Sequence, residues 1–138
     1  MAERINVRDV MTVRVTTVGP ADTMEIADGI MCMGRIRHLP VVDGREVVGV
    51  MSQRDLYRSA LGTALALGIQ RPQELMRSVA VGDVMSAPAV TIGPEASVQE
   101  AAQAMAEQKI GCLPVIEEDG SLVGILTETD ILRYATSH

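Results

Sequence analysis

The chain has 138 residues, enough for one compact domain or two very small ones, and enough to fold without disulfide staples. It carries a net charge of −6, and its only aromatic residues are Tyr57 and Tyr134. These features argue against a nucleic-acid backbone as partner and against base-stacking platforms. Cys32 and Cys112 lack CxxC spacing, so neither a disulfide framework nor a zinc site is expected, and a reducing cytoplasm fits. No apolar run reaches the roughly 18 residues of a membrane span, and the Met-Ala-Glu-Arg start has no signal-peptide core.

In chain order, a short strand is expected at 15–18, closed by the Gly19-Pro20 turn signal. A helix follows at about 23–34, with Asp22 and Glu25 as a loose capping box. Two apolar runs, 39–42 and 47–51, read as strands around a hairpin turn at Asp43-Gly44. A helix begins near Ser52 and continues through 60–68, and Arg71-Pro72 breaks it before a short helix at 73–78. The series then recurs. A strand at 89–92 ends at Gly93-Pro94, and a helix at 97–108 opens on a Ser97/Glu100 capping box. Val98, Ala101, Ala102 and Met105 share one face of that helix. Strands at 113–116 and 122–126 flank Asp119-Gly120, and a last helix starts near Thr127.

The recurrence is an internal repeat. Residues 7–11 read V-R-D-V-M and residues 81–85 read V-G-D-V-M, an offset of 74. The same offset aligns Thr17, Gly19, Pro20, Ala27, Met31, Ile36 and Leu39-Pro40-Val41 with their counterparts. One extra residue in the turn at 117–120 moves the offset to 75, which aligns Val48, Gly49, Asp55 and Arg58. Seventeen identities fall in order, which coincidence explains poorly. The expected fold is α/β (α+β): two pseudo-twofold-related β-α-β-β-α repeats packed sheet on sheet as one module around a shared core. The first repeat, with its extended last helix, takes 1–70; the second, with a short leading helix, takes 71–138.

The pattern resembles the cystathionine-β-synthase (CBS) domain pair, or Bateman module. The resemblance rests on the D-V-M openings, the two I-x-x-L-P-V segments, and the endings G-V-M-S-Q-R-D at 49–55 and G-I-L-T-E-T-D at 124–130. These endings fit the family's G-h-h-[ST]-x-x-D motif. It covers about 7–133, and no catalytic or DNA-binding domain is evident, so the chain looks like a stand-alone CBS pair. The resemblance implies a sensor rather than an enzyme, with no required cofactor. It implies binding of an adenosine-containing ligand (AMP, ADP, ATP, S-adenosylmethionine or an NAD-like dinucleotide) in clefts between the repeats. It also implies a homodimeric four-repeat disk, and signalling to a protein partner that the sequence does not identify.

A nucleotide needs a carboxylate for its ribose diol, cations and free N–H groups for phosphate, and an apolar slot for the base. Ser52 and Thr127 stand where a strand meets a helix, whose N-terminus favours anions. Asp55 and Asp130 follow one turn on. The alternative is a plain N-cap with its first-turn charge. By the family pattern, the preferred cleft joins Ile125, Thr127, Thr129 and Asp130 to Thr17, Val18, Ile36, Arg37 and His38. Arg37 and His38 then stand where a phosphate could lie, since Arg binds phosphate in a bidentate manner. The second cleft joins Val50, Ser52, Arg54 and Asp55 to Thr91, Ile92, Ile110, Gly111 and Cys112, and is poorer in cations. Arg35 reads as solvated turn. His38 and His138 are the only histidines, so neither a metal site nor a Ser-His-Asp triad has the imidazoles it needs, and no catalytic residue is assigned. Cys112 reads as a buried thiol, and Met24, Met31, Met33 and Met105 as core or dimer contact. A structural dimerisation module with vestigial clefts is the competing reading.

Overall fold

A computed structural model of the chain describes residues 4–68 and 72–137. Its elements are α1 (Val7–Val10), α2 (Met24–Gly34), β1 (His38–Asp43), β2 (Glu46–Ser52), α3 (Gln53–Leu67), α4 (Pro72–Met76), a 3-10 turn (Val81–Asp83), α5 (Val98–Gln108), β3 (Cys112–Ile116), β4 (Leu122–Thr127) and α6 (Glu128–Ser137). The architecture is mixed α/β, with two small antiparallel sheets, β1–β2 and β3–β4.

Local chemistry sets the helix ends. Ser97 caps α5, its Oγ accepting the Glu100 N–H at 3.0 Å. The Glu100 carboxylate lies 3.8 Å from the Arg4 guanidinium. Thr23, not Asp22, caps α2, accepting the Ile26 N–H at 3.2 Å. The Asp22 carboxylate turns back instead to the Gly19 N–H at 2.8 Å, closing the Gly-Pro turn. Both helices end on a left-handed residue, Arg35 (φ 53) and Lys109 (φ 57), at equivalent repeat positions. Arg35 is therefore a helix C-cap and not merely solvated turn.

The expected strands at 15–18 and 89–92 contract to single parallel bridges. Val18 donates to the Pro40 carbonyl at 3.1 Å and accepts from Val42 at 2.8 Å. Ile92 does the same with Pro114 at 3.0 Å and Ile116 at 2.9 Å. Pro20 and Pro94 follow two residues later and have no N–H to continue a ladder. The D-V-M openings, given no element above, each form one helical turn.

The chain divides into two compact units. The first comprises Met1–Val15, Arg45–Val47 and Val90–His138, and the second Thr16–Gly44 and Val48–Ala89. These units do not coincide with the repeats, because the opening of each repeat packs with the body of the other. In the first unit, Thr12 exchanges two backbone bonds with Ile125, each 2.9 Å. In the second, Ser86 exchanges bonds of 2.9 and 3.0 Å with Val50. Each two-stranded sheet thus gains a one-residue partner on either edge, which protects otherwise open strands.

The motif glycines make this crossing possible. A Cβ on Gly124 would lie 2.5 Å from Met11 Sδ and 3.0 Å from the Thr12 carbonyl oxygen. A Cβ on Gly49 would lie 2.6 Å from Met85 Sδ and 2.7 Å from the Ser86 oxygen. Among the described residues, each unit has its own cluster of buried side chains. One gathers Met24, Met31, Leu39, Val41, Met51, Leu56 and Val81 with neighbours in the second unit. The other gathers Val7, Ala101, Met105, Leu113, Val115 and Leu126 in the first. With no Phe or Trp, four buried methionines fill the larger core (Met24, Met31, Met51, Met76), where their flexible thioethers fit irregular gaps. Met33 stands out as 90% exposed.

Candidate functional site

The motif that ends each repeat builds the same corner twice. A strand carries Gly, two apolar residues and a hydroxyl residue. The chain then turns into a helix whose third residue is Asp. In the first unit, Asp130 is only 8% exposed, in the first turn of α6. Its Oδ2 accepts from the Thr127 backbone N–H at 2.9 Å and from Thr127 Oγ1 at 3.1 Å. Thr127 Oγ1 accepts in turn from the Asp130 N–H at 3.3 Å, so the two residues cap α6 reciprocally. Asp130 Oδ1 accepts from Thr12 Oγ1 at 3.1 Å. Ile125 is buried two residues before Thr127, between Pro114 and Thr12, and Thr129 is exposed on α6.

In the second unit, Ser52 Oγ accepts from the Asp55 N–H at 3.0 Å and caps α3. Asp55 Oδ2 accepts from Ser86 Oγ at 3.4 Å. Asp55 is half-buried and Arg54 exposed. The first N–H of each helix is also satisfied: Gln53 donates to the Arg37 carbonyl at 2.8 Å, and Glu128 to the Gly111 carbonyl at 3.1 Å. The residue two before each Leu-Pro-Val segment therefore adjoins the motif helix of its own repeat.

Both expected residue sets are divided between the units. Thr17, Val18, Ile36, Arg37 and His38 share the second unit with Val50, Ser52, Arg54 and Asp55. Thr91, Ile92, Ile110, Gly111 and Cys112 share the first with Ile125, Thr127, Thr129 and Asp130. Within their own unit, Thr17 and Arg37 are exposed, Ile36 and His38 half-buried, and Val18 buried. Thr91, Ile92, Ile110 and Gly111 are half-buried.

Cys112 is 4% exposed, and burial pushes its thiol up to about 12, far from the thiolate a nucleophile needs. On the exposed side of the second unit, hydrogen bonding to Asp28 and then Cys32 raises the Tyr57 phenol to about 12. Among the described residues, no three His, Cys, Asp or Glu side chains gather as metal ligands. No described helix is long and apolar enough to cross a membrane. A shallow cavity of about 500 Å³ in the first unit, lined by Arg4, Ile5, Ser97, Glu100 and Tyr134 among others, includes none of the expected ligand residues.

Sequence reasoning missed Thr12 and Ser86. A signal was present, because both follow the D-V-M openings at the common offset and both carry a hydroxyl.

The family model described as CBS domain matches residues 7–62 and 81–137. An inosine-5'-monophosphate dehydrogenase of Korarchaeum cryptofilum is 37% identical over 99% of this chain, which spans only 24% of that enzyme. CBS domain-containing protein YhcV of Bacillus subtilis is 32% identical over 91% of this chain and 82% of its own length. The crystal structure of CBSX2 in complex with AMP, a protein of Arabidopsis thaliana, superposes with a TM-score of 0.79 at 29% identity, covering 96% of this chain and 97% of that one.

Proposed function

The chain belongs to the CBS domain family, carrying the domain twice, and on that premise we propose that it is a regulatory module that senses an adenosine-containing nucleotide. Domains of this family regulate rather than catalyse, although some sit within enzymes such as inosine-5'-monophosphate dehydrogenase. The observation that carries the reading is the twice-built corner of hydroxyl cap and third-position Asp, in a chain similar to a protein crystallised with AMP.

In this reading Asp130, with Ile125, Thr127 and Thr129, receives the ribose diol. Thr17, Val18, Ile36, Arg37 and His38 contribute the base and phosphate contacts. Asp55, with Val50, Ser52 and Arg54, serves a second and weaker ligand position, with Thr91, Ile92, Ile110, Gly111 and Cys112. The aliphatic composition supports a base held between Val and Ile side chains and read by backbone groups, since no Phe or Trp is present. Ligand binding in the cytoplasm would favour one conformer over another and so alter a surface that a partner protein reads.

The test is thermal unfolding with AMP, ADP, ATP, NAD, S-adenosylmethionine and a guanine nucleotide control. A ligand at 100 times its Kd adds about 2.7 kcal/mol. Asp130→Ala should abolish the main shift and Asp55→Ala a smaller one. Loss with Asp55→Ala alone would overturn the ranking of the two positions.

One observation favours a second reading, homodimerisation with vestigial ligand positions. Tyr57, Leu61 and Leu65 form an exposed stripe on α3, at 45, 56 and 74% exposure. A dimer in sedimentation equilibrium, with no thermal shift from any nucleotide, would support it.

A further inference from the structure

Resting on the reading that Asp130 receives the ribose diol, we propose that Thr12 is an internal latch on that carboxylate and sets the module's preference at the sugar. An ionised carboxylate offers about four lone-pair positions. Asp130 has three in use, from Thr127 N, Thr127 Oγ1 and Thr12 Oγ1. A ribose diol brings two O–H donors, so bidentate binding requires one of the present bonds to open.

Thr12 is the donor that can leave at least cost. Thr127 lies three residues from Asp130, and its N–H and hydroxyl are part of the α6 cap, so losing either disturbs the helix start. Thr12 lies 118 residues away and is exposed, so a released hydroxyl turns to water. Its backbone remains paired to Ile125, so the latch opens by a side-chain rotation and not by loss of the strand bridge. In the other unit the equivalent Ser86–Asp55 bond is 3.4 Å long, so that carboxylate is held more loosely. The two Asp residues are therefore unequal: Asp130 has one open position until a diol competes with Thr12. A 2'-deoxyribose supplies one donor fewer and leaves the latch closed.

The experiment is titration calorimetry of the full chain with AMP and with 2'-deoxy-AMP. Thr12→Val, which keeps the shape and removes the hydroxyl, should bind AMP about three- to tenfold tighter. Thr12→Ser should match the wild type, and 2'-deoxy-AMP should respond little to either change. The gain should vanish when Asp130→Asn is added, which places it at that carboxylate. Thr12→Ala provides the same comparison should the valine fold poorly. If the wild type binds AMP through Asp130 but Thr12→Val binds it no more tightly, the latch is refuted and the ligand reading stands. If neither protein binds AMP or any other adenosine ligand of the thermal panel, both fall together.

Discussion

Replacing glycine by alanine should have opposite effects at two places in this chain. At Gly49 the new Cβ would lie 2.6 Å from Met85 Sδ and 2.7 Å from the Ser86 carbonyl oxygen. The sulfur can swing aside, but the carbonyl cannot move without stretching its bond from Val50 N, now 3.0 Å, and the returning bond of 2.9 Å. Overpacking together with a weakened bridge should cost about 2–4 kcal/mol. For a chain of this length that lowers the melting temperature by roughly 10 °C. At Gly29, on the exposed face of α2, a Cβ meets nothing within 4 Å. Gly29→Ala should therefore stabilise by about 0.5–1 kcal/mol through helix propensity alone. Calorimetry or urea denaturation of both variants measures the contrast. Adding Met85→Ala should recover only part of the Gly49→Ala loss, since the carbonyl contact remains. Were Gly49→Ala to melt within about 2 °C of wild type, the close crossing of the opening segment would be refuted.

The other predictions concern the thiols and a helix cap. At pH 8 a thiol reagent should label exposed Cys32 quickly and buried Cys112 only on unfolding. Because burial holds the Cys112 thiol above its unfolded value, its stabilising contribution is complete below about pH 9. That contribution falls away as pH rises toward about 12. It amounts to on the order of 4 kcal/mol, so Cys112→Ala should flatten the alkaline loss of stability relative to wild type. Equal slopes for the two proteins would show that the thiol does not carry that loss. Ser97→Ala should cost about 1 kcal/mol in urea unfolding by leaving the Glu100 N–H without its cap, and Ser97→Asp should restore most of it.

Much was legible in the sequence because its signals are local. Hydrophobic period, Gly-Pro stops and cap residues act within a few positions, and placed the principal helices and the two hairpins. The Asp in G-h-h-[ST]-x-x-D reads from the helix start three residues before it. The caps show the limit of that reasoning. Asp22 and Thr23 are both competent N-caps, and the choice went to Thr23 because Asp22 had a better partner in the Gly19 N–H.

Sequence alone determined that the chain repeats itself, that each repeat ends on a hydroxyl and an Asp, and that its core is aliphatic and rich in methionine. Only the tertiary structure decided that each opening segment pairs with the other repeat's body, so that the compact units cut across the repeats. The cause is steric. Gly49 and Gly124 leave their strands bare, and only a neighbour crossing at that point uses the space. No local pattern records which segment crosses, because Thr12 and Ile125 are 113 residues apart in the chain. For the same reason the hydroxyls of Thr12 and Ser86 could be read as letters of the sequence, while their bonds to Asp130 and Asp55 appeared only in the folded chain.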